Sequence, residues 1–288
     1  MPDHSSSQTP DTPIIELQSI DSTNNYARGQ IDNGSARHGM TILAQEQAAG
    51  KGQRGRQWLS EKGSNIILTI LLNPQPLMVS EQFQLNAMVA VTLHSFFSKL
   101  AGPDTKIKWP NDLYWQDRKA GGVLIESIIG KSEVGIQESG VGSPKVGKSE
   151  SQEDESFDIE TPNEPKSPVW KWAIVGIGVN INQTVFDEEL KNPVSLKQIT
   201  GKNFNVIDLA KELANELMKN FKQLVENGFD HFLELYDTNL YKKGQFVKLK
   251  KDNRIFEARV KAVKSNGELV IKHAVEENIS FGNIEWLI

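Results

Sequence analysis

The sequence predicts a large domain mixing helices and strands, followed by a small β barrel. Three observations carry this. Short apolar, β-rich runs at 14–17, 41–45, 65–72, 122–129 and 169–181 have the length and composition of strands, the last two apolar enough to be central in a sheet. Two longer stretches, near 80–101 and 205–226, space their apolar residues as helices do. From Gly244 onward only short alternating runs remain, separated by the turn pairs Asp252-Asn253 and Asn266-Gly267. At 288 residues the chain accommodates such an unequal pair of domains.

Residues 1–13 are polar and Pro/Ser/Thr-rich and read as a disordered tail. After the first strand, Asp21-Ser22-Thr23-Asn24-Asn25 supplies a capping residue, Asp or Ser, for a short helix. The runs 41–45 and 65–72 flank a Gly-rich loop, a natural place for function. Ser80 is expected to cap a helix carrying Phe83, Ala87, Val91, Phe96 and Leu100, stopped by Gly102-Pro103. Residues 106–108 read as a strand edge, and Trp109-Pro110 forces an extended or turning backbone.

Residues 131–168 contain four Lys, nine Asp or Glu and one aromatic, Phe157, without sustained periodicity. Such a segment buries too little apolar surface to offset the entropy of ordering it. It reads as a disordered, acidic hairpin insertion, a solvated loop without chemistry. Beyond it, Asn205 caps a strongly amphipathic helix with Val206, Leu209, Leu213, Leu217, Phe221 and Leu224 on one stripe, and Gly228 ends it. The terminal strands are expected at 245–250, 254–263, 268–273 and 279–287. The predicted organisation is therefore 14–238 for the large domain and 240–288 for the small one.

The net charge of -5 is local, because the 131–168 segment alone carries -5, so the basic residues at 51–56 stand out. Zero cysteines exclude disulfides, thiolate metal sites and cysteine nucleophiles, and fit a reducing compartment. The five histidines (His4, His38, His94, His231, His273) form no metal-ligand pair, so no protein-held metal is expected. No apolar run matches a signal peptide or a membrane helix. The expectation is a cytoplasmic protein that neither enters a membrane nor binds DNA.

Three segments carry chemistry. In Gly50-Lys51-Gly52-Gln53-Arg54-Gly55-Arg56-Gln57-Trp58, glycines allow backbone N-H groups to approach a phosphate, and Lys51, Arg54 and Arg56 supply charge. Trp58 offers a flat face for a purine. In Lys108-Trp109-Pro110-Asn111-Asp112, the acid Asp112 lies seven residues before Lys119, a spacing that can bring carboxylate and ammonium into one cleft; Trp109 and Trp115 read as packing anchors. Gly121-Gly122 removes side-chain bulk beside Lys119. The third segment is Gly176-Ile177-Gly178-Val179-Asn180. Together they describe a site that binds a polyphosphate, orients a carboxylate and activates it.

In their order these motifs, with Asp21-Ser22-Thr23-Asn24, Gln47 and Lys119-Ala120-Gly121-Gly122-Val123-Leu124-Ile125-Glu126, resemble those of the biotin–protein ligases (biotin–[acetyl-CoA-carboxylase] ligases). The resemblance covers nearly all of the chain outside the tail and insertion. It implies an α+β catalytic domain related to class II aminoacyl-tRNA synthetases and a C-terminal SH3-like β-barrel. It also implies two half-reactions: biotin and MgATP give biotinyl-5'-AMP and pyrophosphate, and a lysine of a biotin carboxyl carrier protein then attacks the acyl adenylate. Biotin, ATP and Mg2+ are the implied cofactors.

By the same resemblance, Ser22, Thr23 and Gln47 hydrogen-bond the biotin head, Asn24 belongs to the same motif, and Gly121 and Gly122 line the pocket with backbone. Lys119 bridges the biotin carboxylate and the α-phosphate. Gly50, Lys51, Gly52, Gln53, Gly55 and Arg56 form the phosphate loop with Arg54, Trp58 takes the adenine side, and Asn180 belongs to the nucleotide site. Asp112 positions the incoming lysine. Two features depart from the family: Lys51 and Gln53 stand where well-known members carry arginines, which is expected to let the adenylate escape more readily, and no winged helix precedes the domain, so operator binding is not expected. A lipoate–protein ligase, a nucleic-acid-binding module and a catalytically silent biotin binder are the alternatives; the glycine loop and barrel favour biotin, the mild acidity argues against nucleic acid, and Lys119 with Asp112 argues for catalysis. A homodimer through a sheet edge is allowed and not required.

Overall fold

The computed structural model describes residues 13–130 and 168–287. The tail and the acidic insertion fall, apart from Pro13 and Pro168, outside the described residues. Seven strands form one mixed sheet: β1 (Ile14–Leu17), β2 (Thr41–Ala44), β3 (Asn65–Leu72), β4 (Thr105–Lys108), β5 (Asp112–Trp115), β6 (Arg118–Gly130) and β7 (Val169–Asn180), in the order β1-β2-β3-β7-β6-β5-β4. Only β1 and β2 run parallel. The two strands expected to be central, β6 and β7, pair from Gly130–Val169 to Gly121–Val179.

Alternation along β3 and β7 gives the sheet two different faces. Ile66, Leu68, Ile70 and Leu72, with Ala173, Val175, Ile177 and Val179, turn into the main core. That face is covered by α2 (Gln82–Ala101), α3 (Leu196–Thr200), α4 (Val206–Asn227) and α5 (Asp230–Thr238). The opposite face carries α1 (Thr23–Asp32), whose Ala27 packs with Ile42, Leu71 and Ile174, and beyond α1 it is left for the site.

Helix α4 forms as its stripe requires: Asn205 accepts from the Ile207 and Asp208 N-H groups, and Gly228 caps the end at a φ of 82°. Leu213, Leu217, Phe221 and Leu224 are buried, each worth about 1.5–3 kcal/mol. Two capping expectations differ. Ser80 lies in a 3-10 turn before α2, where the Glu81 carboxylate accepts from the Met78 N-H. Ser22 precedes α1 without a side-chain cap bond.

The chain ends in five antiparallel strands, β8 (Phe246–Lys251), β9 (Arg254–Val263), β10 (Leu269–Lys272), β11 (Glu276–Ile279) and β12 (Glu285–Trp286), in the order β11-β10-β9-β8-β12. This small sheet is compatible with the SH3-like barrel. The expected strand at 279–287 is instead the end of β11, a turn, and β12. Gly282, at a φ of 100°, allows the chain to reverse there, and the turn carries Phe281 toward the large sheet. The indole N-H of Trp109 donates to the Gly267 carbonyl at 2.9 Å, and its ring meets Phe281 edge-on, so Trp109 anchors the small sheet to the large one.

Candidate functional site

A cleft of about 720 Å³ opens on the sheet face not covered by α2 and α4. Its floor follows from strand register, because residues directly opposite in antiparallel strands share a face. Ile67 pairs with Gly178 and Gly178 with Gly122; Thr69 pairs with Gly176 and Gly176 with Leu124. The Gly-x-Gly of β7 is thus the floor itself. A Cβ at Gly176 would collide with the Asn24 side chain, and one at Gly178 with the Trp58 ring.

All of the anticipated site residues line this cleft except Gly50, Gly55 and Gly121. These three have structural tasks. The segment 50–58 is a closed finger in which Trp58 N-H donates to Gly50 O, Gly52 N-H to Arg56 O, and Arg56 N-H to Gln53 O. A Cβ at Gly50 would strike the Trp58 carbonyl, and Gly55 turns the tip at a φ of 75°. Gly121 lies on the core side opposite Val179, where a Cβ would come within 2.8 Å of the Gly178 carbonyl. Three of the finger's N-H groups hold the finger closed, and its cationic side chains remain exposed.

At one end of the cleft the polar groups form a continuous network. Gln47 Oε1 accepts from the Thr23 N-H at 2.8 Å and from its hydroxyl at 3.0 Å. The Thr69 hydroxyl lies 2.8 Å from Thr23 Oγ1 and 2.7 Å from Asn24 Oδ1. Asn24 Nδ2 then donates to Glu126 Oε2 at 2.8 Å, and Glu126 faces Arg28 at 3.4 Å and Lys51 at 4.0 Å. Ser22, Thr23 and Asn24 are all buried. Thr69 and the bridging role of Glu126 were not anticipated, since their partners are remote in sequence.

At the other end, β5 and β6 pair so that Asp112 lies opposite Gly122. Lys119 Nζ sits 2.7 Å from Asp112 Oδ1, and a Cβ at Gly122 would crowd both groups. The anticipated carboxylate–ammonium pair is therefore formed. Asn180 Nδ2 donates to the Val194 carbonyl at 3.2 Å and lies 3.4 Å from the Lys119 carbonyl, so its amide braces the Lys119 backbone. Arg54 leaves the finger at a φ of 56° and lays its guanidinium 5.2 Å from the Phe281 ring centre. The Trp58 ring lies on Gly178, and its indole N-H is buried without a partner among the described residues.

Lys108 precedes Trp109 at the end of β4. Its ammonium donates to Tyr114 Oη at 3.1 Å, lies over the Tyr114 ring and is 5.8 Å from the Trp286 ring centre. Burial lowers its pKa to about 8; Lys119, Arg56 and Lys191 push the same way, and Asp112 opposes them. Burial also raises the Tyr114 phenol, which stays protonated. Among the described residues no group of three His, Asp or Glu side chains is placed to hold a metal ion, and no helix is long and apolar enough to cross a membrane.

The mixed sheet with a small antiparallel sheet at its side is a fold shared with biotin protein ligases of known structure. The biotin protein ligase from Aquifex aeolicus in complex with biotin and ATP superposes with a TM-score of 0.71 at 23% identity, over 96% of this chain and 98% of that one. Residues 16–141 match the Biotin/lipoate A/B protein ligase family. The bifunctional ligase/repressor BirA of Escherichia coli (strain K12) is 37% identical over 121 residues, which is 41% of this chain and 36% of BirA. The biotin–[acetyl-CoA-carboxylase] ligase of Paracoccus denitrificans is 35% identical over 113 residues, 37% of this chain and 46% of the relative. The chain thus spans between a third and a half of these two relatives. Residues 16–141 are similar to the biotin/lipoate ligase domain, and the chain is similar to biotin–protein ligases in sequence and in fold.

Proposed function

We propose that this protein is an ATP-dependent biotin–[acetyl-CoA-carboxylase] ligase, forming biotinyl-5'-AMP and transferring biotin to a lysine of a biotin carboxyl carrier protein. The observation that carries the reading is the Lys119–Asp112 pair beside the glycine floor, facing the cationic finger. A carboxylate attacking a phosphate is opposed by mutual negative charge, which a mobile ammonium between the two relieves. In the free cleft Lys119 is neutralised by Asp112. An arriving carboxylate and α-phosphate draw Lys119 away, which leaves Asp112 free to receive the carrier lysine in the second step.

The polar end of the cleft supports biotin over lipoate. A ureido ring offers both N-H donors and a carbonyl acceptor to Ser22, Thr23 and Gln47, whose network, already bonded between Thr23 and Gln47, keeps further donor and acceptor capacity for it, whereas a dithiolane offers these groups no hydrogen bond. Trp58, with its unpartnered N-H, suits the adenine side. Mg2+ enters as part of MgATP, held by phosphate oxygens and water. Incubation with biotin, MgATP and a carrier domain, followed by intact-mass analysis, tests the reading. One biotinyl increment lost without ATP, and absent with lipoate, is expected; no increment and no pyrophosphate release would overturn it.

The state of Lys108 adds a pH dependence. Its ammonium is charged at pH 7 and loses its proton as pH rises through about 8. A bound polyphosphate favours the charged form and raises this pKa, so ATP binding takes up protons near pH 8 and weakens as pH rises further. Asp112, Lys119, Arg56, Lys191 and Tyr114 face the group and set its starting point. Calorimetry at pH 8 in two buffers of different ionisation enthalpy is expected to show proton uptake; equal heats in both would contradict it.

A further inference from the structure

One cation on the cleft wall comes from outside the motifs, Lys191 on the loop after β7, which also brings Glu189 to the wall. That loop is fastened to the backbone of Lys119. The Lys119 N-H donates to Asn192 O at 2.8 Å, the Val194 N-H donates to Lys119 O at 2.9 Å, and Arg118 donates to Pro193 O at 2.6 Å. Asn192 takes a left-handed φ of 47° to make this possible. The side chain one residue earlier, Lys191, lies on the cleft wall within electrostatic reach of Lys108.

The wall carries cations of two kinds. Lys119 is paired with Asp112 and Lys51 with Glu126. Arg54, Arg56, Lys108 and Lys191 form no ion pair among the described residues, and Arg54 is laid against the Phe281 ring. Of the carboxylates nearby, Asp117 is taken by Lys242 and the Tyr241 hydroxyl, while Glu189 and Glu285 lie on the wall without a cation partner among the described residues. Four unpaired cations against two unpaired carboxylates leave the wall an excess of positive charge that a bound polyanion would offset.

We propose that Lys191 is a phosphate-binding residue that, with Arg56 and Lys108, holds the β- and γ-phosphates of ATP and the pyrophosphate that leaves. This rests on the ligase reading above. In the adenylation step a biotin carboxylate oxygen bonds to the α-phosphorus while the bond from that phosphorus to the α,β-bridging oxygen breaks. The electron pair departs on pyrophosphate, so negative charge grows on the side of the cleft away from Lys119. A cation fastened through one backbone to Lys119 places the two ends of that displacement at a fixed separation.

The test is biotin-dependent exchange of labelled pyrophosphate into ATP by the full chain, comparing wild type, Lys191→Ala and Lys191→Arg. In the alanine variant KM for pyrophosphate is expected to rise about tenfold or more, as for loss of a charge-assisted contact. KM for ATP should rise with it, KM for biotin should stay in place, and arginine should restore most of the loss. An unchanged KM for pyrophosphate in Lys191→Ala would overturn the inference. Absence of any biotin-dependent exchange by wild type would instead remove the ligase reading. Lysine acetylation of the wild-type protein, mapped by mass spectrometry, gives a readout without a variant: pyrophosphate should protect Lys191, and equal labelling with and without it would also count against the assignment.

Discussion

Lys119→Ala is expected to lower biotinyl-5'-AMP formation by at least ~10²–10³-fold, the scale seen when one preorganised charge stabiliser is removed. Position explains why no neighbour replaces it. Lys51 is drawn to Glu126 at the opposite end of the cleft, and Lys108 is held beneath Tyr114 and Trp286. Arginine at 119 should recover little, because Gly122 leaves room beside Asp112 for one slender ammonium, and a planar guanidinium is broader. Folding should survive. The Lys119–Asp112 pair is about one-third exposed on both sides, and such a pair is worth about 1 kcal/mol or less. Pyrophosphate release with biotin and MgATP, alongside a melting curve, separates the two effects. Normal release by the alanine variant would sink the role assigned to Lys119.

What the sequence made legible was whatever depends on neighbours along the chain. The stripe of α4, its Asn205 cap and Gly228 stop are local, and they formed as expected. The same holds for β7, where strict alternation of Ile174, Gly176, Gly178 and Asn180 against Val175, Ile177 and Val179 already separates a smooth face from an apolar one. The glycines of the finger were legible, but the tight closure they permit was not: Gly50 closes against Trp58, eight positions away, and Gly55 makes the turn.

The remaining features depend on contacts remote in sequence. Glu126 joins Asn24, Arg28 and Lys51 only because β6 runs beside β7 beneath α1, which no short window of sequence shows. The altered acidity of Lys108 requires burial to which Trp286, at the far end of the chain, contributes. That end was misread because Ile279, Phe281 and Trp286 lie in an apolar run that resembles a strand, while Gly282 breaks it. The break places Phe281 against Arg54 and Trp109, so the small sheet forms part of the cleft wall. Lys191 belongs to no motif. Its position follows from Asn192 and Val194 bonding to the Lys119 backbone.

Asp112→Asn should separate the two half-reactions. The carrier lysine, with a reference pKa of ~10.4, must lose its proton before it attacks the adenylate, and a general base contributes roughly 10²–10⁴-fold to such a step. Asparagine preserves the size of the side chain and a hydrogen-bond acceptor for Lys119, but it removes the charge that attracts an ammonium and the basicity that accepts its proton. Adenylate formation should fall far less than transfer, because Lys119 is then released from its ion pair more readily. Transfer should be partly recovered at high pH, where more of the carrier lysine is already neutral. The measurement is single-turnover transfer from biotinyl-5'-AMP to the carrier domain, followed from pH ~7 to above ~9. A variant that loses both half-reactions equally would place Asp112 with Lys119 in the first step, and one that transfers normally would remove it from the second. The predicted split depends on one oxygen, Asp112 Oδ1, which restrains Lys119 while the cleft is empty and faces the carrier lysine once the adenylate has drawn Lys119 away.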